Sequence, residues 1–405
     1  MRVLLAPHGT RGDVQPMIAL ALGLRDRGHH VTFLVPDNFV AWIDGYGFAC
    51  EPDGVDVEAA LRSHGGDLSS LRWQLHHFRN VLVPKMFESF MRIDVDADLI
   101  VGSGVQVAGA SVAEWKDVPY VSAVFCSCAV PSRAMPPPTV RSQGLPRWVN
   151  RLLWDVGVPL GGLMLRGSIN DGRRRLGLEP VANPLAQLGQ HRVIVAADRD
   201  LAPLADDVPA RVVATDAWIL DERVLDVDPR IEAFLGRDLP PLYVGFGSMV
   251  ARSARTVVAH AIDAARALGR RVIVAGGWAG LERYVTDSDD VLAVSAVPHA
   301  AVFPRVAAVV HHGGAGTTDA AARAGVPQIV LPHILDQFYW AHRVEQLGLG
   351  PRGLPVDLVT ADVLADRIAT ALEDRSIYER TRALALAMAG RDGVAAAVDH
   401  LERCI

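Results

Sequence analysis

Short apolar runs alternate with longer amphipathic segments along most of this chain. Residues 2–6 read as a first buried strand. A helix over 16–27 follows, with Pro16 in its first turn and Gly28 stopping it; proline is tolerated at a helix start and glycine favours a helix end. Further strands are predicted at 31–35, 99–102, 120–125 and 192–197. The pattern breaks over 216–240, where charged residues and prolines cluster. It then restarts, with strands at 242–246, 271–275, 291–297, 307–310 and 328–331 and helices after Ser253, Thr317 and Asp336. A last amphipathic helix, 394–403, fits against either half. Strands alternating with helices predict α/β architecture with parallel, doubly wound sheets. The expected division is an N-terminal domain over 1–215, a linker over 216–240 and a C-terminal domain over 241–405. In such sheets ligands bind beyond the carboxyl ends of the strands.

Composition narrows the function classes. At 405 residues, half of them hydrophobic, the chain has ample material for two cores. No run of about eighteen apolar residues predicts a membrane span. The opening apolar run is short and meets Thr10-Arg11-Gly12-Asp13 at once, which favours a strand over a signal peptide and a cytoplasmic protein. A net charge of −6 argues against nucleic acid as partner. Four cysteines in this length do not make a disulfide framework. Cys126 and Cys128 are expected to be small buried hydrophobes.

Candidate chemistry falls at strand ends. His311-His312-Gly313-Gly314-Ala315-Gly316-Thr317 joins a predicted strand to a predicted helix. Glycines at such a turn allow close approach to an anion, and the helix start presents free N–H groups to a phosphate. The spacing is not that of a Rossmann dinucleotide fingerprint. Asp336-Gln337 stands at the next helix start, where a carboxylate beside an amide suits vicinal hydroxyls. Gly247 and Ser248 end the first strand of the second half and offer donors to a diphosphate. In the first half, Arg11 suits a phosphate, and Asp13, desolvated at a cleft, suits a general base. The Asp-x-Asp pairs at 94/96, 96/98, 198/200 and 226/228 read as solvated charges rather than a metal site, so no metal is expected. The stretch from Arg147 through Trp148 and Trp154 to Arg166 reads as a helix lining an apolar pocket, with a membrane-surface helix as the other reading.

Taken together, Gly9 to Pro16, Val297-Pro298-His299, His311 to Thr317 and Asp336-Gln337 resemble the GT-B-fold glycosyltransferases of family 1. The resemblance spans the whole chain. It is to the bacterial branch acting on natural products, such as the glycopeptide-antibiotic glycosyltransferases, and to sterol glucosyltransferase-like relatives. It implies a UDP- or dTDP-sugar held mainly by the second domain and an apolar small-molecule acceptor held by the first. Val297 and His299 would lie along the base, and Asp319 would reach the ribose. His311, Ser248, Gly313, Gly314, Ala315, Gly316 and Thr317 would hold the phosphates, met by Thr10, Arg11 and Gly12. Asp336 and Gln337 would hold the sugar, and Asp13 would be the base of an inverting transfer needing neither cofactor nor metal. A nucleotide-sugar epimerase and a non-catalytic nucleotide-sugar-binding subunit share the architecture and stand as alternatives.

Overall fold

The structure, a computed structural model, describes residues 1–63, 75–93, 96–221, 227–237, 239–247 and 254–404. Two all-parallel sheets carry the chain. The first has the order β3-β2-β1-β4-β5-β6-β7. Its strands are β1 Arg2–His8, β2 His30–Val35, β3 Ala49–Pro52, β4 Leu99–Gly104, β5 Tyr120–Val124, β6 Arg192–Val195 and β7 Val212–Ala214. The second has the order β10-β9-β8-β11-β12, with β8 Leu242–Gly245, β9 Val272–Ala275, β10 Val291–Val294, β11 Ala308–His311 and β12 Gln328–Val330. The central strands are almost wholly buried because helices cover both faces, which is why they read as unbroken apolar runs. The order reverses between β1 and β4 in one sheet and between β8 and β11 in the other, and ligands of doubly wound sheets bind at such points.

The first helix departs from expectation. It runs Arg11–Asp26, five residues earlier than the sequence pattern places it, so Pro16 lies inside it. Thr10 is the N-cap and Asp13 the third helical residue. Asp13 Oδ2 accepts the Thr10 N–H (2.7 Å) and hydroxyl (3.3 Å). The polar segment Thr10 to Asp13 is therefore a capped helix start at the carboxyl end of β1.

Both ends of the 216–240 stretch are docked. Trp218 and Leu220 sit in the first core, and helix Pro229–Leu235 buries Ile231 and Phe234 in the second. The last helix, Gly393–Glu402, settles on the first domain: Val398 and Leu401 join its core, and Arg27 pairs with Asp399 and Glu402. The chain thus crosses between the domains twice.

Between the sheets lies a shared apolar core. Cys126, Cys128, Val195 and Leu201 of the first domain pack with Val330, Tyr339, Trp340 and Met388 of the second. The two thiols are buried as expected, 3.2 Å apart, the Cys128 S–H donating to Cys126. Beside this core Asp198 is clamped by Arg391, whose Nη1 donates to both carboxylate oxygens (2.8 and 2.9 Å). Over the cleft, Arg62 Nε donates to Trp278 O (3.0 Å), and Trp278 packs on Phe39.

Gly23 tests the docking of the last helix. A Cβ there would lie 2.3 Å from Val394 Cγ1. Gly23→Leu gains up to about 1 kcal/mol of helix propensity but overpacks a core at about 1–3 kcal/mol. A net loss is expected in urea unfolding, with the midpoint shifted down; an unshifted or raised midpoint contradicts this packing.

Candidate active site

The phosphate-facing turn is built at the end of β11. His311 is fully buried. Its Nδ1 accepts the Gly313 N–H (3.1 Å), and its Nε2 faces Gln328 Oε1 (3.0 Å). An N–H only donates, so Nδ1 is the bare nitrogen and Nε2–H donates to Gln328. Gln328 Nε2 then donates to Thr318 O (3.3 Å). Both ring nitrogens of His311 are thus engaged inside the protein. It shapes the turn and does not reach a phosphate, which corrects the role expected for it.

The neighbouring ring does reach the open side. His312 is partly exposed. Its Nε2 would lie 2.6 Å from a Cβ at Gly314, and its Cε1 3.1 Å from one at Gly247. Two glycines therefore make the slot that holds the ring at the start of helix Ala315–Ala324. Burial first, then His311, His333 and His299, hold His312 well below the ordinary histidine range, so it is neutral at pH 7. Gly313 has φ +90°, and a Cβ there would strike Val330 and the Gln337 carbonyl. Gly314 is the N-cap, and Thr318 N–H is the first to bond back to it (2.9 Å). The N–H groups of Ala315, Gly316 and Thr317 point out of the helix start, as in any uncapped first turn. Open space lies above Gly316. Ser248 falls outside the described residues.

Asp336 and Gln337 divide their work. Gln337 Oε1 accepts the His333 and Ile334 N–H groups (2.8 and 3.1 Å), so its carbonyl braces the turn. Asp336 Oδ2 accepts Trp340 Nε1–H (3.1 Å). Burial lifts Asp336 to about 6; Trp340 opposes this, and the charge of Asp13 adds to it. The charge of Asp13, in the other domain, is therefore felt at Asp336. Burial also raises Asp13, against the two Thr10 hydrogen bonds and His8. Gly104 lies under Asp13: a Cβ there would sit 3.1 Å from Oδ1 and 2.2 Å from His8 O. Oδ2 is the oxygen that Thr10 holds, and Oδ1 lies toward Gly104.

The remaining expected residues separate. Arg11 lies over the Trp42 ring (5.0 Å), its Nε donating to Gln15. Its charge reaches across the cleft and, after burial, is the next cause holding His299 at about 3. Gly12 lies in the first turn of the same helix, and Thr10 is committed to Asp13. His299 stacks on Phe303 (4.3 Å between centroids) with Tyr243 edge-on (5.9 Å). That aromatic shelf was not foreseen. Val297 is buried in the core with Tyr243 and Phe303. Asp319 does not face a ribose. Its Oδ2 accepts from Arg323 Nε (2.8 Å), and it lies against Asp198 and Asp216 at the domain interface. The Asp-x-Asp acids are engaged elsewhere: Asp96 and Asp98 by Arg2, Asp198 and Asp200 by Arg391, Asp228 as a helix cap. Asp94 and Asp226 fall outside the described residues. Among the described residues no three His, Cys, Asp or Glu side chains converge as metal ligands.

The N-terminal domain of glycosyltransferase family 28 matches residues 3–125, and the C-terminal domain of the erythromycin biosynthesis protein CIII-like family matches 260–403. Vancomycin aglycone glucosyltransferase of Amycolatopsis orientalis is 38% identical over 98% of this chain and 96% of its own. The chain belongs to the family 1 GT-B glycosyltransferases. O-mycaminosyltylonolide 6-deoxyallosyltransferase of Streptomyces fradiae is a further relative, 31% identical over 97% and 95% of the two chains. The glycotransferase of kitacinnamycin has the same fold, with a TM-score of 0.73 over 100% and 98% of the two chains at 19% identity. Among the described residues no helix is long and apolar enough to cross a membrane.

Asp336 carries a stability signature. Its folded pKa lies above that of a free carboxyl, so its favourable contribution is present at low pH and is lost as pH rises through about 6. Asp336→Asn is therefore expected to raise the thermal midpoint at pH 8, the gain shrinking as pH falls toward 4. A pH-independent effect removes the buried charge from the account.

Proposed function

We propose that this enzyme transfers a hexose or deoxyhexose from a UDP- or dTDP-sugar to a hydroxyl of an apolar natural product, such as a polyketide, macrolide, terpenoid or lipid, with inversion and without a metal or other cofactor. The observation that carries the reading is Asp13 at the capped start of the first helix, its charge felt at Asp336 of the other domain, with the open helix start at Gly314 after β11. The family relatives supply the substrate class.

Asp13 Oδ1 takes the proton of the acceptor hydroxyl as that oxygen bonds to the anomeric carbon. The bond from that carbon to the diphosphate breaks on the opposite face. The leaving diphosphate keeps the electron pair, and its growing charge meets the N–H groups of Ala315 to Thr317 and the His312 ring. These donors are in place before reaction, so little reorganisation is needed. Asp336 Oδ1 accepts from sugar hydroxyls while Trp340 holds Oδ2. Arg11 and the His299 shelf face the nucleoside side. The raised pKa of Asp13 makes it a stronger base than a surface carboxylate, and it must be ionised to act.

Asp13→Asn is expected to lower turnover by about 10²- to 10⁴-fold, with nucleotide affinity by calorimetry nearly unchanged; unaltered turnover removes Asp13 from the mechanism. In the wild-type enzyme kcat/KM should rise with pH through a value above the usual carboxylate range, and this limb should vanish in Asp13→Asn. His312→Ala deletes one donor to a charged group, about 1.5–3 kcal/mol, so nucleotide affinity should fall roughly tenfold to a hundredfold. Donor alone, without acceptor, separates the epimerase: a changed sugar in that tube contradicts the transferase reading.

A further inference from the structure

The carboxyl ends of β9, β8 and β11 lie side by side in the second sheet. One residue beyond each stands in a row: Trp278, Gly247 and His312. The Trp278 N–H donates to Gly247 O (3.1 Å), after Gly276 and Gly277 have bonded to Val294 O and Ser295 O (2.8 and 3.0 Å). Gly277 makes the close approach possible: its φ is +56°, and a Cβ there would lie 2.0 Å from Gly247 O. Gly247 itself has φ +57° and lies against the His312 ring, where a Cβ would come within 3.1 Å of Cε1. The contact from Trp278 to that ring thus passes through glycine backbone.

Trp278 is also a point where the second domain touches the first. Its ring packs on Phe39 (5.8 Å between centroids) and Phe39 on Trp42 (6.2 Å), over which Arg11 lies (5.0 Å). The Trp278 carbonyl accepts from Arg62 Nε (3.0 Å), and the same guanidinium pairs with Glu58 one turn earlier on its helix (2.7 Å). The backbone of one residue is therefore engaged on both sides. Its N–H holds the glycine beside His312, and its C=O is held by the other domain.

We propose that Trp278 is a positioning residue for the nucleotide: docked on Phe39 and Arg62, it holds Gly247, and through Gly247 the His312 ring, in place against the diphosphate. This rests on the reading of the cleft as a nucleotide-sugar site. Glycine backbone is soft, and Gly247 can take positive or negative φ with little preference. The slot beside His312 keeps its shape only while the Gly247 carbonyl is held. Trp278 holds it, and the first domain holds Trp278. Docking of the domains and order at the phosphate side then favour each other by the same factor.

A row of contacts is not by itself coupling, so a double-mutant cycle decides it. The affinity of the full chain for UDP and for dTDP is read by calorimetry. Trp278→Ala loses one aromatic contact and should weaken nucleotide binding about threefold to tenfold. Trp278→Phe, which keeps a ring against Phe39, should stay within about twofold of wild type. Arg62→Ala, on the exposed side of the contact, should weaken binding in the same direction. In the His312→Ala background both losses should shrink to less than about twofold, because the ring they act through is gone. Equal losses in the two backgrounds overturn the proposal, as does a folded Trp278→Ala variant with unchanged affinity. If Trp278→Ala does not fold, the same cycle with Arg62→Ala decides by the same criteria. A wild-type chain that binds neither UDP nor dTDP overturns the donor reading and the role of Trp278 with it, whereas binding with an additive cycle overturns the role of Trp278 alone.

Discussion

The apolar core between the two sheets is the constraint on which the cleft depends. Neither half of the site acts alone: Asp13 comes from the first helix of one domain, while Asp336 and the glycine turn come from the other. Cys126, Cys128 and Val195 packed on Tyr339, Trp340 and Val330 fix the distance between those walls. The same Trp340 that fills this core donates to Asp336. Packing between the domains and the orientation of the Asp336 carboxylate are therefore tied to one side chain. The Asp198–Arg391 clamp beside the core adds direction more than energy, since a buried ion pair recovers little beyond its own desolvation. With Nη1 on both Asp198 oxygens and Nη2 on Asp200, the guanidinium fits one placement of Arg391 beside this loop.

Desolvation does the electrical tuning. Burial keeps His299, His311, His312 and His333 uncharged and lifts Asp13 and Asp336 above ordinary carboxylates. The histidines there thus add no positive charge at pH 7. In the proposed reaction a diphosphate would meet fixed N–H groups and neutral imidazole, and the acceptor's proton would meet the Asp13 carboxylate. Perturbed groups cluster this way at functional sites because strain there is offset by packing elsewhere. Leu335, a non-glycine residue at φ +52° just before Asp336, is a local instance of such strain.

Most of the fold was legible in the chain. Every buried central strand of both sheets announced itself as an apolar run, because parallel strands covered on both faces carry no polar alternation. The two strands the pattern does not pick out, β3 and β7, are short, partly exposed edge strands: β3 carries Glu51, and the run of β7 is only three residues long. The first helix began earlier than its apolar pattern because Thr10 and Asp13 cap it with polar side chains. The 216–240 stretch looked like a linker by composition, although Trp218 and Phe234 anchor its two ends in different cores.

Residue types at strand ends determined where the chemistry lies: glycines after β11, an acid after β1, an acid at the helix start after β12. These follow from local backbone demands, which a sequence records directly. What only the tertiary structure decided is which neighbour of each pair turns toward the cleft. A strand sends adjacent side chains to opposite faces, so His311 and His312 differ entirely in role, yet nothing local says which face is the cleft. Gln328, seventeen residues away in sequence, takes the buried ring of His311. The same holds for Asp319, drawn to the domain interface by Arg323. Side-chain direction depends on partners distant in sequence, and those meet only when both sheets are packed.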